Sequence, residues 1–185
     1  MKIASIQLRS FTAENQNILL QAFLICSFAA LTAVGAQIEI PHQPIPFTLQ
    51  TFFVLLSGAV LGKRNGAISM TVYLLSGVAG LPVFSGWSFG MAKIIGPTGG
   101  YLLSFPVAAF AVGYLLQQQS HYFRSVLSMF VGLFIIFTLG TLHLNLVYFH
   151  NWPESISAGF LIFSWWDGVK LIAAAAIVSQ INKRR

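Results

Sequence analysis

Residues 18–38 read ILLQAFLICSFAALTAVGAQI, an apolar run that contains no Asp, Glu, Lys or Arg. A helix needs about 20 mainly apolar residues to cross a bilayer, and this run is long enough. Glu39 and the prolines at 41, 44 and 46 end it, because proline cannot continue a helix interior. The run is too long for a signal peptide and lacks a small-residue cleavage site, so we expect a retained first transmembrane helix.

The composition of the whole chain extends this prediction. Of 185 residues, 56% are hydrophobic and only 8% are charged, and the mean hydropathy is +0.77. A soluble domain carries about 25% charged residues to keep its surface wet. The composition therefore excludes a soluble enzyme, a disordered linker and a nucleic-acid-binding domain, despite the net charge of +6. The single cysteine, Cys26, lies in the first apolar run, so no disulfide framework is expected.

Polar punctuation divides the rest of the chain into further apolar runs. We predict an all-α membrane protein, a six-helix bundle forming one domain over residues 1–185, with spans at 18–38, 47–62, 67–84, 98–116, 125–149 and 156–181. Six spans bring both termini to one side, where eight of the ten basic residues also fall. The positive-inside rule then places both termini in the cytoplasm of a bacterial-type cell. Residues 1–17 are open to two interpretations, a short interfacial helix or a frayed tail.

Asp167 and Lys170 are the charged residues that this division leaves deep within a span. They lie three residues apart, so they share a helix face, and Asp167 is about 17 Å from the outer end of its helix. An ionisable group at that depth must face the bundle interior and find a partner. A mutual ion pair that fixes helix packing is one interpretation. A polar ligand site is the favoured one, since Gly168 allows close approach and Trp165-Trp166 offer a stacking wall.

Two further polar segments precede predicted helices. In Gly96-Pro97-Thr98-Gly99-Gly100-Tyr101, backbone amides at a helix start favour an anionic group, but a tight turn explains the glycines equally well. Thr48 and Gln50 follow the stiff segment Pro44-Ile45-Pro46. Polar side chains at such a helix start usually cap the helix or face water, and a ligand contact is the alternative.

The first predicted helix also carries small residues four apart. Ala22, Cys26 and Ala30 form one stripe, and Ala29 and Ala33 the next. Small residues at this spacing let another helix approach closely, either within the bundle or as an external docking face.

Enzyme chemistry has little support in this sequence. His143 and His150 are two turns apart, too far to share a metal ion on one helix, and no Cys/His/carboxylate cluster is present. We therefore expect no catalytic residue, no metal site and no cofactor. No Walker-type phosphate loop occurs, so any energy from ATP must come from a partner.

Four segments in order carry a family resemblance. PFTLQT (46–51), GLPVF (80–84), GPTGGY (96–101) and Asp167-x-x-Lys170 together resemble the BioY family, the biotin-binding S components of energy-coupling factor (ECF) transporters. The resemblance implies a biotin-binding membrane subunit that works with a transmembrane coupling protein, EcfT, and two cytoplasmic ATPases. It implies docking on EcfT through Ala29 and Ala33. Trp165-Trp166 depart from the Pro-Gly pair that is usual in the family at this position.

The residues and the resemblance together predict a biotin site. The predicted ligand contacts are Asp167, Lys170, Thr48, Gln50, Gly99, Gly100, Tyr101, Ser85, Lys93 and Trp166. Biotin offers ureido N–H donors, a ureido oxygen and a carboxylate, and the residues leave its orientation open. An S component for thiamin or riboflavin, a solitary facilitator and, less favoured, an intramembrane hydrolase are the alternatives.

Overall fold

The computed structural model describes residues 18–117, 122–161 and 165–183, without the side chains of Trp165, Asn182 and Lys183. The expectations for residues 1–17, Arg184 and Arg185 lie outside these ranges. The α-helices are α1 (Ile18–Gln37), α2 (Gln50–Val78), α3 (Met91–Ile95), α4 (Gly99–Leu115), α5 (Tyr122–Leu144), α6 (Trp152–Ser155) and α7 (Trp165–Lys183). Two strands, β1 (Glu39–Ile40) and β2 (Phe47–Thr48), pair antiparallel with Glu39 opposite Thr48.

Three segments that are not α-helical complete the path of the chain. A 3₁₀ turn, Ser85–Trp87, precedes α3, and π-helical turns occupy Asn145–Phe149 and Ile156–Phe160. The fourth predicted span, 98–116, differs from α4 by one residue at each end. The predicted fifth helix corresponds to α5 with the π turn that follows it. The last predicted helix, at 156–181, begins instead with a π turn, and α7 starts at Trp165. Asp167 therefore lies in the first turn of α7, and the prediction that it is about 17 Å from the outer end of its helix was wrong.

The second and third predicted spans are the two halves of α2, which folds back on itself at Gly62. Gly62 has φ 80° and ψ 174°, which are not helical values. Gln50 nevertheless donates a hydrogen bond to the hydroxyl of Tyr73, although a straight helix would separate these residues by about 34 Å. The break lies one residue before the predicted turn at residues 63–66, because only glycine adopts this positive φ without steric cost.

Glycines set the close packing of α4 against α2. A Cβ added at Gly58 would lie 2.2 Å from the carbonyl oxygen of Ala109, and one at Gly113 would lie 2.4 Å from the amide nitrogen of Lys63. Small residues at both contacts let the backbones approach, as they do in membrane helix pairs. The core that results lies between α2, α4, α5 and α7 and includes Tyr73, Phe84, Phe105, Met129, Leu133 and Ala174.

The outer faces of the bundle are apolar. Within the described residues, two helical segments are long and apolar enough to cross a membrane, Ile18–Gln37 and Tyr122–Phe149, and α4 is a shorter apolar helix. Large apolar side chains point outward, including Phe23 at 67% exposure and Phe123 at 78%. Contiguous exposed apolar surface of this kind is typical of a membrane-embedded protein.

The small residues of α1 divide between two faces. Ala29 is only 8% exposed and lies in the core, and Ala33 is half-buried against it. Ala22, Cys26 and Ala30 are exposed on the outer side. The predicted docking residue Ala29 therefore packs inside the bundle, and the outward stripe is the neighbouring one.

Candidate functional site

Lys170 lies at the centre of the candidate site. Its Nζ lies 2.5 Å from Oδ1 of Asp167 and donates to the carbonyl oxygen of Thr48 at 2.9 Å and to Oγ1 of Thr51 at 2.8 Å. Both charged residues are buried. These three contacts engage all three ammonium donors, so the desolvated charge is neutralised and hydrogen-bonded.

The ion pair also borders a narrow cavity of about 60 Å³. Its apolar walls are Ile45, Pro46, Phe47, Phe84, Tyr101, Leu102, Phe105, Ile136 and Phe137, and its polar groups, besides the ion pair, are Thr48, Gln50, Thr51, Ser85, Lys93 and Thr98. Mostly apolar walls with a few convergent polar groups are typical of small-molecule sites, but such sites measure about 300–1,000 Å³, so this cavity is narrower than an open ligand site. Asp167 and Lys170 form an internal ion pair, and the same two side chains line the cavity.

A chain of hydrogen bonds fixes the polar wall next to Lys170. Oγ1 of Thr48 donates to Oε1 of Gln50 at 2.9 Å, Gln50 donates to the hydroxyl of Tyr73, and that hydroxyl donates to the carbonyl oxygen of Val83 at 3.1 Å. Tyr73 is 1% exposed and its ring packs edge-on against Phe84. The polar atoms of this wall are thus held in place by groups that themselves are buried.

The segment after α2 forms the side of the cavity near Lys93. The amide of Gln37, at the end of α1, holds it from both directions: Nε2 donates to the carbonyl oxygen of Phe84, and Oε1 accepts from the backbone N–H of Trp87, each at 3.0 Å. Gly86 and Trp87 take positive φ values of 66° and 56°, which turn the chain sharply here. This turn brings Ser85 to the cavity wall.

Gly99 and Gly100 lie where α4 packs against its neighbours. A Cβ on Gly99 would lie 1.6 Å from the carbonyl oxygen of Ile94, and one on Gly100 would lie 2.2 Å from Cβ of His143 on α5. His143 Nε2 is in turn 3.1 Å from the carbonyl oxygen of Gly96. The structure favours the tight-turn interpretation of this motif. Its last residue, Tyr101, does line the cavity, and its hydroxyl donates to the carbonyl oxygen of Gly159 at 3.0 Å.

Seven of the ten predicted ligand contacts come together around the cavity: Thr48, Gln50, Ser85, Lys93, Tyr101, Asp167 and Lys170. Gly99 and Gly100 serve packing, and Trp166 is half-buried on α7 without lining the cavity in the described structure. Thr51 and Phe137 were missed. Thr51 stands three residues after Thr48 in the same polar segment, which was an available signal, whereas nothing distinguishes Phe137 among the 17 phenylalanines.

No group of three or more His, Cys, Asp or Glu side chains that could hold a metal ion occurs within residues 18–117, 122–161 and 165–183.

Comparison with known proteins agrees with this architecture. The biotin transporter BioY of Thermotoga maritima is 45% identical over 156 residues, which are 84% of this chain and 92% of the relative. The probable biotin transporter BioY of Pyrococcus horikoshii is 40% identical over 86% of this chain and 94% of its own length.

A solved structure shares the fold. The S-component for biotin from an ECF-type ABC transporter superposes with a TM-score of 0.82 at 24% identity, covering 93% of this chain and 95% of that one. The model of the BioY family matches residues 8–185. Because that match spans nearly all of the sequence and the relatives are similar over most of their length, the chain belongs to the BioY family.

Proposed function

We propose that the chain is the biotin-specific S component of an ECF-type importer and that biotin binds in the cavity beside Asp167 and Lys170. One observation carries the proposal: the buried Asp167–Lys170 ion pair lines a mostly apolar cavity. The apolar bicycle of biotin suits the aromatic walls, and its two polar ends suit polar groups at opposite sides of such a space. The names of the relatives support the choice of vitamin.

The hydrogen bonds of Lys170 support one orientation of the ligand. All three of its donors are engaged by protein atoms, so it has none to offer a carboxylate without breaking a contact. The carboxylate of Asp167 has several lone pairs and accepts from the ureido N–H groups in this orientation. The valerate carboxylate then points toward Lys93, the other cation that lines the cavity.

The transport cycle that we propose uses six spans, with both termini in the cytoplasm of a bacterial-type cell. The spans are α1, the two halves of α2, α4, α5 and α7. Biotin enters from the outer face, the segments around β1 and β2 and around α3 close over it, and the bundle reorients against the coupling protein. EcfT would dock on α1 through its outward small residues, beside Ala33, and two ATPases would drive the cycle.

Equilibrium titration of the purified full-length protein in lipid nanodiscs tests the ligand. Biotin is expected to bind tightly, and thiamin and riboflavin not to compete. Asp167→Asn is expected to weaken binding by about 1–2 kcal/mol or more, because a charged acceptor is lost. Unchanged affinity in Asp167→Asn and Lys170→Met would refute this site, and competition by thiamin or riboflavin would indicate another vitamin.

Uptake of labelled biotin by cells tests the partners. Accumulation is expected only when the coupling protein and the two ATPases are present with this chain. Equal uptake by the chain alone would indicate a solitary facilitator and would contradict the proposed coupling.

A further inference from the structure

A second cavity adjoins the first on the side of the outer segments. It measures about 420 Å³ and shares Pro46, Ser85, Lys93 and Thr98 with the inner cavity. We call it the outer cavity. Because the two spaces have these four residues in common, a group that reaches Lys93 from inside borders the outer cavity directly.

The outer cavity carries charge of both signs. Glu39, on β1, and His42 line it together with Lys93. The carboxylate of Glu39 lies near the turn at Gly86, where an added Cβ would be 3.6 Å from Oε1. Glu39 is half-buried, so its charge is less screened than that of a fully exposed side chain. If every natural ligand ended in a carboxylate at Lys93, an acid such as Glu39 just beyond Lys93 would be unexpected. The charge of Glu39 would repel that ligand carboxylate.

We propose that this site also accepts biotin extended at its carboxyl group, specifically biotin joined through an amide to an amino acid with a free ammonium, as in biocytin. The bicycle occupies the inner cavity, the amide oxygen accepts from Lys93, and the lysyl end lies in the outer cavity with its ammonium against Glu39. This inference rests on the proposed biotin site and on the orientation with the valerate toward Lys93.

The amide changes the chemistry at Lys93 in a defined way. An ammonium donates to an amide oxygen as well as to a carboxylate, but the charge-assisted bond to a carboxylate is the stronger one. Biocytin is therefore expected to bind more weakly than biotin, and the contact with Glu39 recovers part of the difference. A neutral amide of similar length lacks that contact and binds more weakly than both.

Three ligands and two variants test the proposal by calorimetric titration of the full chain in nanodiscs. The ligands are biotin, biocytin and biotin n-pentylamide, which has the same amide but no charge. We expect biocytin to bind about five- to tenfold more tightly than the neutral amide, because its ammonium forms a half-buried ion pair with Glu39. Glu39→Gln should abolish that preference while leaving the affinity for biotin unchanged or slightly higher. Glu154→Gln, which removes an exposed acid of α6 that lines neither cavity, should change none of the three affinities.

The outcomes separate this inference from the proposed function. Biotin binding without biocytin binding, or a preference for biocytin that survives in Glu39→Gln, would overturn the inference alone. Failure of biotin itself to bind would overturn both. The unfolding temperature of Glu39→Gln is the control. If it equals that of the wild type, any change in ligand affinity arises from the lost charge and not from a disturbed strand pairing of Glu39 with Thr48.

Discussion

The ion pair near the start of α7 and the glycines at the start of α4 both depart from the large apolar residues of their helices, yet they have opposite roles. Asp167 and Lys170 bring charge to the wall of a cavity. Gly99 and Gly100 remove side chains so that α4 can contact Ile94 and His143. The ion pair adds polar groups to the interior, whereas the glycines let neighbouring backbones approach closely.

The difference has a physical origin. The cost of burying the charge of Lys170 is offset by the carboxylate of Asp167 and by hydrogen bonds to Thr48 and Thr51, which lie far away in the sequence. A glycine at a helix contact needs no partner, because it acts by having no side chain, which lets the backbones approach closely. The two regions therefore respond differently to substitution, and four predictions exploit this.

Lys170→Met should have the largest effect. It leaves Asp167 buried beside an apolar side chain, and breaking one half of a buried pair costs about 3–5 kcal/mol. We expect lower thermal stability and loss of biotin binding, measured by unfolding and by titration. The double variant Asp167→Asn/Lys170→Met should regain much of the stability but not the binding. Recovery of binding in the double variant would mean that the pair serves packing alone, as the glycines do.

Gly99→Ala should come next, with its effect on stability. The added Cβ would meet the backbone carbonyl of Ile94, which cannot move aside as a side-chain end would. Overpacking of this kind costs about 3 kcal/mol. A normal unfolding temperature with weakened biotin binding would contradict the packing role and return Gly99 to the ligand site.

Lys93→Gln is expected to weaken biotin binding by about 1 kcal/mol, since a cation at the edge of the cavity is partly screened by solvent. The salt dependence of the affinity should fall with it, because an exposed ion pair is weakened by salt. Titrations at low and high salt measure both effects. Lys63→Gln, which removes a cation that lies 5.3 Å from the Tyr114 ring centroid, is the control and should leave both values unchanged.

Gly168→Ala should have the smallest effect, and of opposite sign. No atom lies within 4 Å of a Cβ added there, so alanine should stabilise α7 by about 0.5–1 kcal/mol through its helix preference. Unfolding experiments should show a small rise in stability with biotin affinity within about twofold of wild type. A large loss of affinity would show that Gly168 borders the ligand, as its position between the two charges suggests.

Much of the helical pattern could be predicted from the sequence. The apolar run at 18–38 corresponds to α1, the run at 98–116 to α4, and the turn expected at residues 63–66 lies next to the break at Gly62. Hydropathy, prolines and glycines act locally, so these features can be read along the chain. That Asp167 and Lys170 share a helix face was also local information, because it depends only on their three-residue spacing. The predicted depth of Asp167 within its helix was wrong, because α7 begins at Trp165.

The sequence by itself thus indicated a membrane protein, the positions of α1 and α4, and which charges are costly to bury. Only the tertiary structure decided that Lys170 is held by Thr48 and Thr51, that Phe137 lines the cavity, that Ala29 is buried, and that Gly99 serves packing. The reason is separation along the chain. Thr48 and Lys170 are 122 residues apart, and no local pattern specifies which faces of distant helices will meet.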